Sequence, residues 1–131
     1  MKNIVTSGRR KQSIARAVLS EGKGRVTVNK IDLKILKPQL SQLKIMEPLI
    51  LAKDVAAKVN IDIIVRGGGY ITQADAARLA VARALVAHSA KLKEVFLHYD
   101  RQLLVADIRV KEAGKPNHHG QARAGTQTSY R

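Results

Sequence analysis

Seven of the residues from Gln73 to Ser89 are alanine, the strongest helix former. Ala74, Ala77, Val81, Ala84, Leu85 and His88 recur at helical spacing through that segment. A helix with so small a face can lie close to a sheet. The residues just before it supply a strand. Ile61, Ile63 and Val65 alternate with Asp62, Ile64 and Arg66 across 60–66, the period of a strand. Gly67, Gly68 and Gly69 then end it sharply. Thr72, three residues before Asp75, reads as a short capping box at the helix start. Strand, glycine turn and alanine-rich helix confine the chain to a mixed α/β fold in which this strand is central.

The flanking segments extend the pattern. Residues 11–20 alternate as a strand, with Ala15, Ala17 and Leu19 on one face and Ile14, Arg16 and Val18 on the other. Gly22 and Gly24 mark a turn, and Arg25 to Val28 resume the strand, so residues 11–29 are expected to form a β-hairpin. A short helix is expected over 33–36, stopped by Pro38. Pro48 suits the first turn of a helix running from about 47 to 58. A second helical stretch covers about 90–99, and residues 102–111 read as a fourth strand. After Glu112 the apolar pattern stops, and Gly114, Pro116, Gly120 and Gly125 break the rest into an extended tail. The expected division is a globular part over 1–112 and a tail over 113–131.

Charge narrows the function. Twenty-four Lys and Arg oppose ten Asp and Glu in 131 residues, a formal net charge of +14. The first 30 residues hold Lys2, Arg9, Arg10, Lys11, Arg16, Lys23, Arg25 and Lys30 against Glu21 alone. The tail adds Lys111, Lys115, Arg123 and Arg131. A basic body with a basic, unpatterned tail fits a polyanionic partner, because each phosphate neutralised releases condensed counterions. The aromatics are only Tyr70, Phe96, Tyr99 and Tyr130, too few for a base-stacking face. Phosphate backbone and shape, as on structured RNA, are the expected targets. Length implies one domain able to bury roughly two-thirds of its unfolded surface. The chain has no Cys, which removes disulfides and thiolate metal sites and points to a reducing cytoplasm. No signal peptide and no membrane span are expected from the apolar runs.

Motifs for chemistry are weak. The Gly67–Gly69 run sits in strand–turn–helix context, where anions bind, but Tyr70-Ile71-Thr72 lacks the Gly-Lys-Ser/Thr of a phosphate loop. It reads as a tight turn, with or without RNA-backbone contact, or much less well as a nucleotide site. His118 and His119 have no Cys beside them, His88 reads as a packed residue, and His98 as a partly exposed one. No Ser/His/Asp or Cys/His set can be assembled, so a non-enzyme without metal or cofactor is expected. A free RNA-chaperone module and a small phosphotransferase or nuclease are the alternative readings.

Several stretches together resemble a ribosomal family. They are Gly8-Arg9-Arg10-Lys11-Gln12-Ser13-Ile14-Ala15-Arg16-Ala17, Gly24-Arg25-Val26-Thr27-Val28-Asn29, and Glu47-Pro48-Leu49. The glycine run with Gln73-Ala74-Asp75-Ala76, Asp100 to Asp107, and the terminal Ser129-Tyr130-Arg131 complete the set. The whole chain is similar to the S-nine family of the small ribosomal subunit, in its archaeal/eukaryotic-like branch. That resemblance implies a two-layer α/β (α+β) sandwich, related to the second domain of ribosomal protein S-five, with a left-handed βαβ crossover. It implies partners: small-subunit rRNA in the head, neighbouring ribosomal proteins there, and P-site tRNA. The expected rRNA-binding residues are Arg9, Arg10, Lys11, Arg16, Lys23, Arg25, Arg66, Gly67, Gly68, Gly69, Lys111, Lys115 and Arg123. By position Ser129, Tyr130 and Arg131 would meet the tRNA. The family's tail is usually denser in Lys and Arg than the Gly125-Thr126-Gln127-Thr128 found here.

Overall fold

The computed structural model describes residues 2–125. Five strands, β1 (Ile4–Arg10), β2 (Ser13–Glu21), β3 (Val26–Val28), β4 (Ile31–Asp32) and β5 (Val59–Arg66), form one sheet. Four helices, α1 (Gln39–Leu51), α2 (Lys53–Ala56), α3 (Tyr70–His88) and α4 (Leu92–Tyr99), accompany it. The sheet order is β1-β2-β5-β3-β4, so β5 is central as expected. β3 and β5 run parallel with α1 in the connection between them, a βαβ unit. The other neighbouring pairs are antiparallel.

The small residues of α3 set the layer spacing. Ala76, Ala77, Ala80, Ala82 and Ala84 are fully buried, as are Ala15 and Ala17 of β2 beneath them. A Cβ on Gly8 would stand 2.3 Å from the Ala76 carbonyl oxygen and 2.7 Å from the Ala80 nitrogen. Glycine at β1 thus lets the helix backbone rest almost on the strand. Leu19, Ile61, Ile63, Val81, Leu85, Phe96 and Leu103 fill the rest of one continuous core. α1 packs alongside α3 on the same side of the sheet, with Ser41, Ile45 and Pro48 buried. Arg78 of α3 pairs with Glu47 of α1 at 2.6 Å and with Asp100 at 3.1 Å.

Four expectations change. The hairpin is not 11–29. β2 turns back from β1 through Lys11 and Gln12, and its other edge pairs with β5. The Gly22–Gly24 loop instead crosses over β5, where the Gly22 N–H donates to the Lys58 carbonyl and the Gly24 N–H to the Val59 carbonyl, both at 3.1 Å. The helix expected over 47–58 is α1, which begins at Gln39 and holds Pro48 inside it, and then the single turn of α2. Burial of Ile45 and Pro48 offsets the roughly 3 kcal/mol that an interior proline costs. Residues 102–111 form no strand. Asp100 caps a 3-10 turn over Arg101–Leu103 by accepting the Gln102 N–H at 2.9 Å, and Ile108 beyond it is 90% exposed. Finally, α3 starts three residues before the expected point. Gly69 is its N-cap, and the Thr72 hydroxyl accepts the Gly69 N–H at 3.1 Å. Asp75 pairs with Lys44 at 3.0 Å instead of capping.

Candidate nucleic-acid interface

α3 and α1 lie on one face of the sheet and leave the other bare. Strand alternation decides which residues face outward there. Residues 5, 7 and 9 of β1, residues 14, 16 and 18 of β2, and residues 60, 62, 64 and 66 of β5 do so. The register sets them in rows. Arg9, Ile14 and Arg66 form one row, and Ser7, Arg16 and Ile64 the next. Val5, Val18, Asp62 and Thr27 form a third. Arg9, Arg16 and Arg66 are all exposed, interleaved with the half-exposed Ile14 and Ile64. Strands lie about 4.8 Å apart, so the Cα atoms of Arg9 and Arg66, two strands from each other, stand roughly 10 Å apart. The single carboxylate in these rows, Asp62, already accepts the Thr27 hydroxyl at 2.8 Å.

The glycine turn adjoins the Arg9–Arg66 row. Gly67 and Gly68 have φ of +79° and +65°. A Cβ on Gly67 would meet the Gln12 carbonyl oxygen at 2.4 Å, and one on Gly68 the Ser13 hydroxyl at 2.2 Å. These two glycines therefore serve the packing of the β1–β2 turn against the start of α3. Gly69 differs, since nothing lies within 4 Å of its Cβ position. It opens onto a groove of about 510 Å³ lined by Lys11, Gln12, Thr72, Arg109 and Lys111. An exposed helix N-terminus with cations around it suits an anion.

Other expected site residues lie elsewhere. Arg10 turns inward and pairs with Asp107 at 3.1 Å, its side chain only 18% exposed. Lys23 and Arg25 are exposed at the opposite end of the sheet. The eight residue steps from Ser13 to Glu21 of β2 span roughly 26 Å at about 3.3 Å each. Lys115 and Arg123 belong to a closed loop in the tail, where the Lys115 N–H donates to the Ala122 carbonyl at 2.7 Å and the Ala124 N–H to the Lys115 carbonyl at 3.2 Å. His118 and His119 are exposed in that loop. Ser129, Tyr130 and Arg131 lie outside the described residues.

Sequence reading did not single out Arg109. Its guanidinium grips both oxygens of Asp107, at 2.6 Å for Nη2 to Oδ2 and 3.0 Å for Nε to Oδ1. Those side-chain hydrogen bonds, then the Arg109 backbone N–H, hold the Asp107 carboxyl well below the usual carboxylate range. The Asp107-Ile108-Arg109 spacing carries a hint of it, but an i,i+2 pair is too common to stand out. Among the described residues no group of three metal-ligating side chains converges, and no helix is long and apolar enough to cross a membrane.

A sheet with one face buried by an alanine-rich helix and the other bare and cationic defines a small, strongly basic α+β protein. Comparison with known proteins takes this further. The family described as ribosomal protein S9/S16 matches residues 8–131. The small ribosomal subunit protein uS9 of Methanothrix thermoacetophila is 47% identical over 133 aligned positions, covering all of both chains. The protein of the same name from Methanococcus vannielii is 43% identical over 134, again covering both completely. This chain belongs to the ribosomal protein S9/S16 family.

Proposed function

We propose that this protein is a structural constituent of the small ribosomal subunit, that it binds rRNA in the subunit head, and that it serves translation without catalysing a reaction. The observation that carries this reading is the bare sheet face with Arg9, Arg16 and Arg66 in adjoining rows. Three guanidiniums at that spacing offer charge-assisted, forked donors to successive phosphates. Ile14 and Ile64 between them suit the apolar faces of riboses. Lys11, Lys111 and the Gly69 N-cap continue the cationic surface around the end of the sheet. The contacts are to backbone and shape, so they position the protein without reading sequence.

In this reading residues 1–112 form the rRNA-binding body and 113–131 the tail. Lys115 and Arg123 hold rRNA along the tail's path, and Ser129, Tyr130 and Arg131 reach P-site tRNA. Arg131 contacts a phosphate that every tRNA presents. Other ribosomal proteins of the head are its neighbours.

The test is binding of the full chain to a transcript of the small-subunit rRNA head domain across a salt series. Combined Arg9→Ala, Arg16→Ala and Arg66→Ala substitution should weaken binding and flatten the log K against log[salt] slope by about 2 to 3. An unchanged slope rejects the sheet face as the interface. For the tail, ribosomes lacking residues 129–131 should release P-site tRNA faster, increasingly so at high salt. Normal retention at low and high salt rejects that role.

A further inference from the structure

At the end of the sheet away from the glycine turn lies a second concavity, of about 560 Å³. Val26, Leu33, Met46, Leu49 and Ile50 form its floor and one wall. Lys23, Arg25, Lys34 and Lys53 stand around it. Asp32 is the one carboxylate among the lining residues, and its Oδ1 accepts the Lys34 N–H at 3.0 Å. The four cations make no ion pair among the described residues. Ile50 is 63% exposed, although it belongs to a helix whose other face is in the core.

We infer that this groove docks an acidic segment of a partner protein, one that inserts a large apolar side chain and brackets it with Asp or Glu. The charge balance and the floor together select that chemistry. A polyanion alone would satisfy the rim and leave the apolar floor wet. RNA has no protruding aliphatic side chain to insert there, and no aromatic side chain among the described residues lines the groove to stack a base. An aliphatic or aromatic anchor gains free energy from leaving water, while carboxylates beside it meet cations that make no ion pair among the described residues.

The cationic wall is also held in place before any partner arrives. The Asn60 side-chain oxygen accepts the Lys23 N–H and the Arg25 N–H, both at 3.0 Å. The Ile61 N–H donates to the Arg25 carbonyl at 2.9 Å. With the Gly24 N–H bond to the Val59 carbonyl, four bonds to the central strand fix the loop, so little ordering remains to be done on binding. The inference goes beyond the rRNA reading and does not rest on it. The groove lies at the other end of the sheet from the Arg9–Arg66 row, so both surfaces can be occupied at once.

A random 12-residue peptide display library selected on the full chain tests the proposal. Enriched peptides should share one or two large apolar residues flanked by Asp or Glu. Synthetic copies should bind at least tenfold more weakly to Ile50→Glu and at least fivefold more weakly to Lys23→Glu/Arg25→Glu. Arg16→Ala should bind them normally. Ile50 and both loop cations are exposed, and an unchanged melting temperature verifies that the variants fold. The proposal is overturned if no acidic-apolar consensus emerges, or if Ile50→Glu binds the peptides as well as the parent chain. It is equally overturned if Lys23→Glu/Arg25→Glu weakens rRNA-fragment binding while peptide binding stays intact, since the loop is then an RNA contact.

Discussion

The Ser13 hydroxyl lies 2.7 Å from the Thr72 hydroxyl and 2.8 Å from the Gly67 carbonyl oxygen. Ser13 opens β2 and is fully buried, while Thr72 stands in the first turn of α3. One hydroxyl thus pins the hairpin, the glycine turn and the helix start at a single point. Ser13→Ala should cost about 1–3 kcal/mol, because it leaves buried polar partners unmet. Urea unfolding of the two chains measures it, and a loss below about 0.5 kcal/mol would show that water replaces the hydroxyl.

Glycine should prove necessary position by position. Gly67→Ala meets the Gln12 carbonyl at 2.4 Å in a left-handed backbone, and Gly8→Ala meets the Ala76 carbonyl at 2.3 Å. Each is expected to destabilise by about 1–3 kcal/mol or more. Gly69→Ala adds a methyl to open space and should fall within about 1 kcal/mol of the parent, losing only some N-cap preference. Thermal melts of the three variants check the order, and equal losses would refute it.

The β3–β4 connection should accept an improvement. Asn29 and Lys30 have φ of +50° and +69°, the two left-handed positions of a type I′ hairpin turn. Asn29 suits its place and also bonds β5, accepting the Val65 N–H at 2.9 Å. Lys30 has no such reason to be there. Lys30→Gly should raise stability by about 0.5–1 kcal/mol through relief of the left-handed penalty. Calorimetry would expose a decrease, which contradicts the turn.

Acid should erode the clasp beneath the glycine turn. The folded state holds the Asp107 carboxyl well below its usual value through Arg109 first and Arg10 second. Asp100 is lowered too, by the Gln102 N–H and by Arg78. A depressed carboxylate contributes stability that is complete above its unfolded pKa of about 3.9 and is lost as pH falls toward the folded value. Asp107→Asn should therefore be less stable than the parent at pH 7, and the gap should narrow steadily below about pH 4. Melting temperatures from pH 7 to pH 2 test this, and a constant gap would mean the ion pairs contribute nothing.

The sequence carried α3, β5 and the outward alternation of β2 plainly, because each has an unbroken period. It hid β1, where Gly8 sits at an inward position that ought to read as apolar. It hid β4, which spans two residues. The false hairpin over 11–29 arose because Gly22 and Gly24 serve a crossover equally well, and only their bonds to Lys58 and Val59 decide. That misreading also grouped Lys23 and Arg25 with Arg9 and Lys11, which the sheet sets far apart. Leu103, Val105 and Ile108 looked like a strand, yet Asp100 caps a 3-10 turn there and Leu103 alone enters the core. Arg16 and Arg66 were visible as outward residues. Their juxtaposition was not, since it depends on the β2–β5 register.

β1 is an outermost strand of the sheet. The Arg83 guanidinium, anchored on the Leu104 carbonyl at 3.2 Å, also donates to the Ser7 carbonyl of that strand at 3.0 Å. With that one acceptor engaged, the rim is a poorer template for a second copy. Crowded copies of the chain would therefore find the middle of that edge already occupied, which should slow their stitching onto one another.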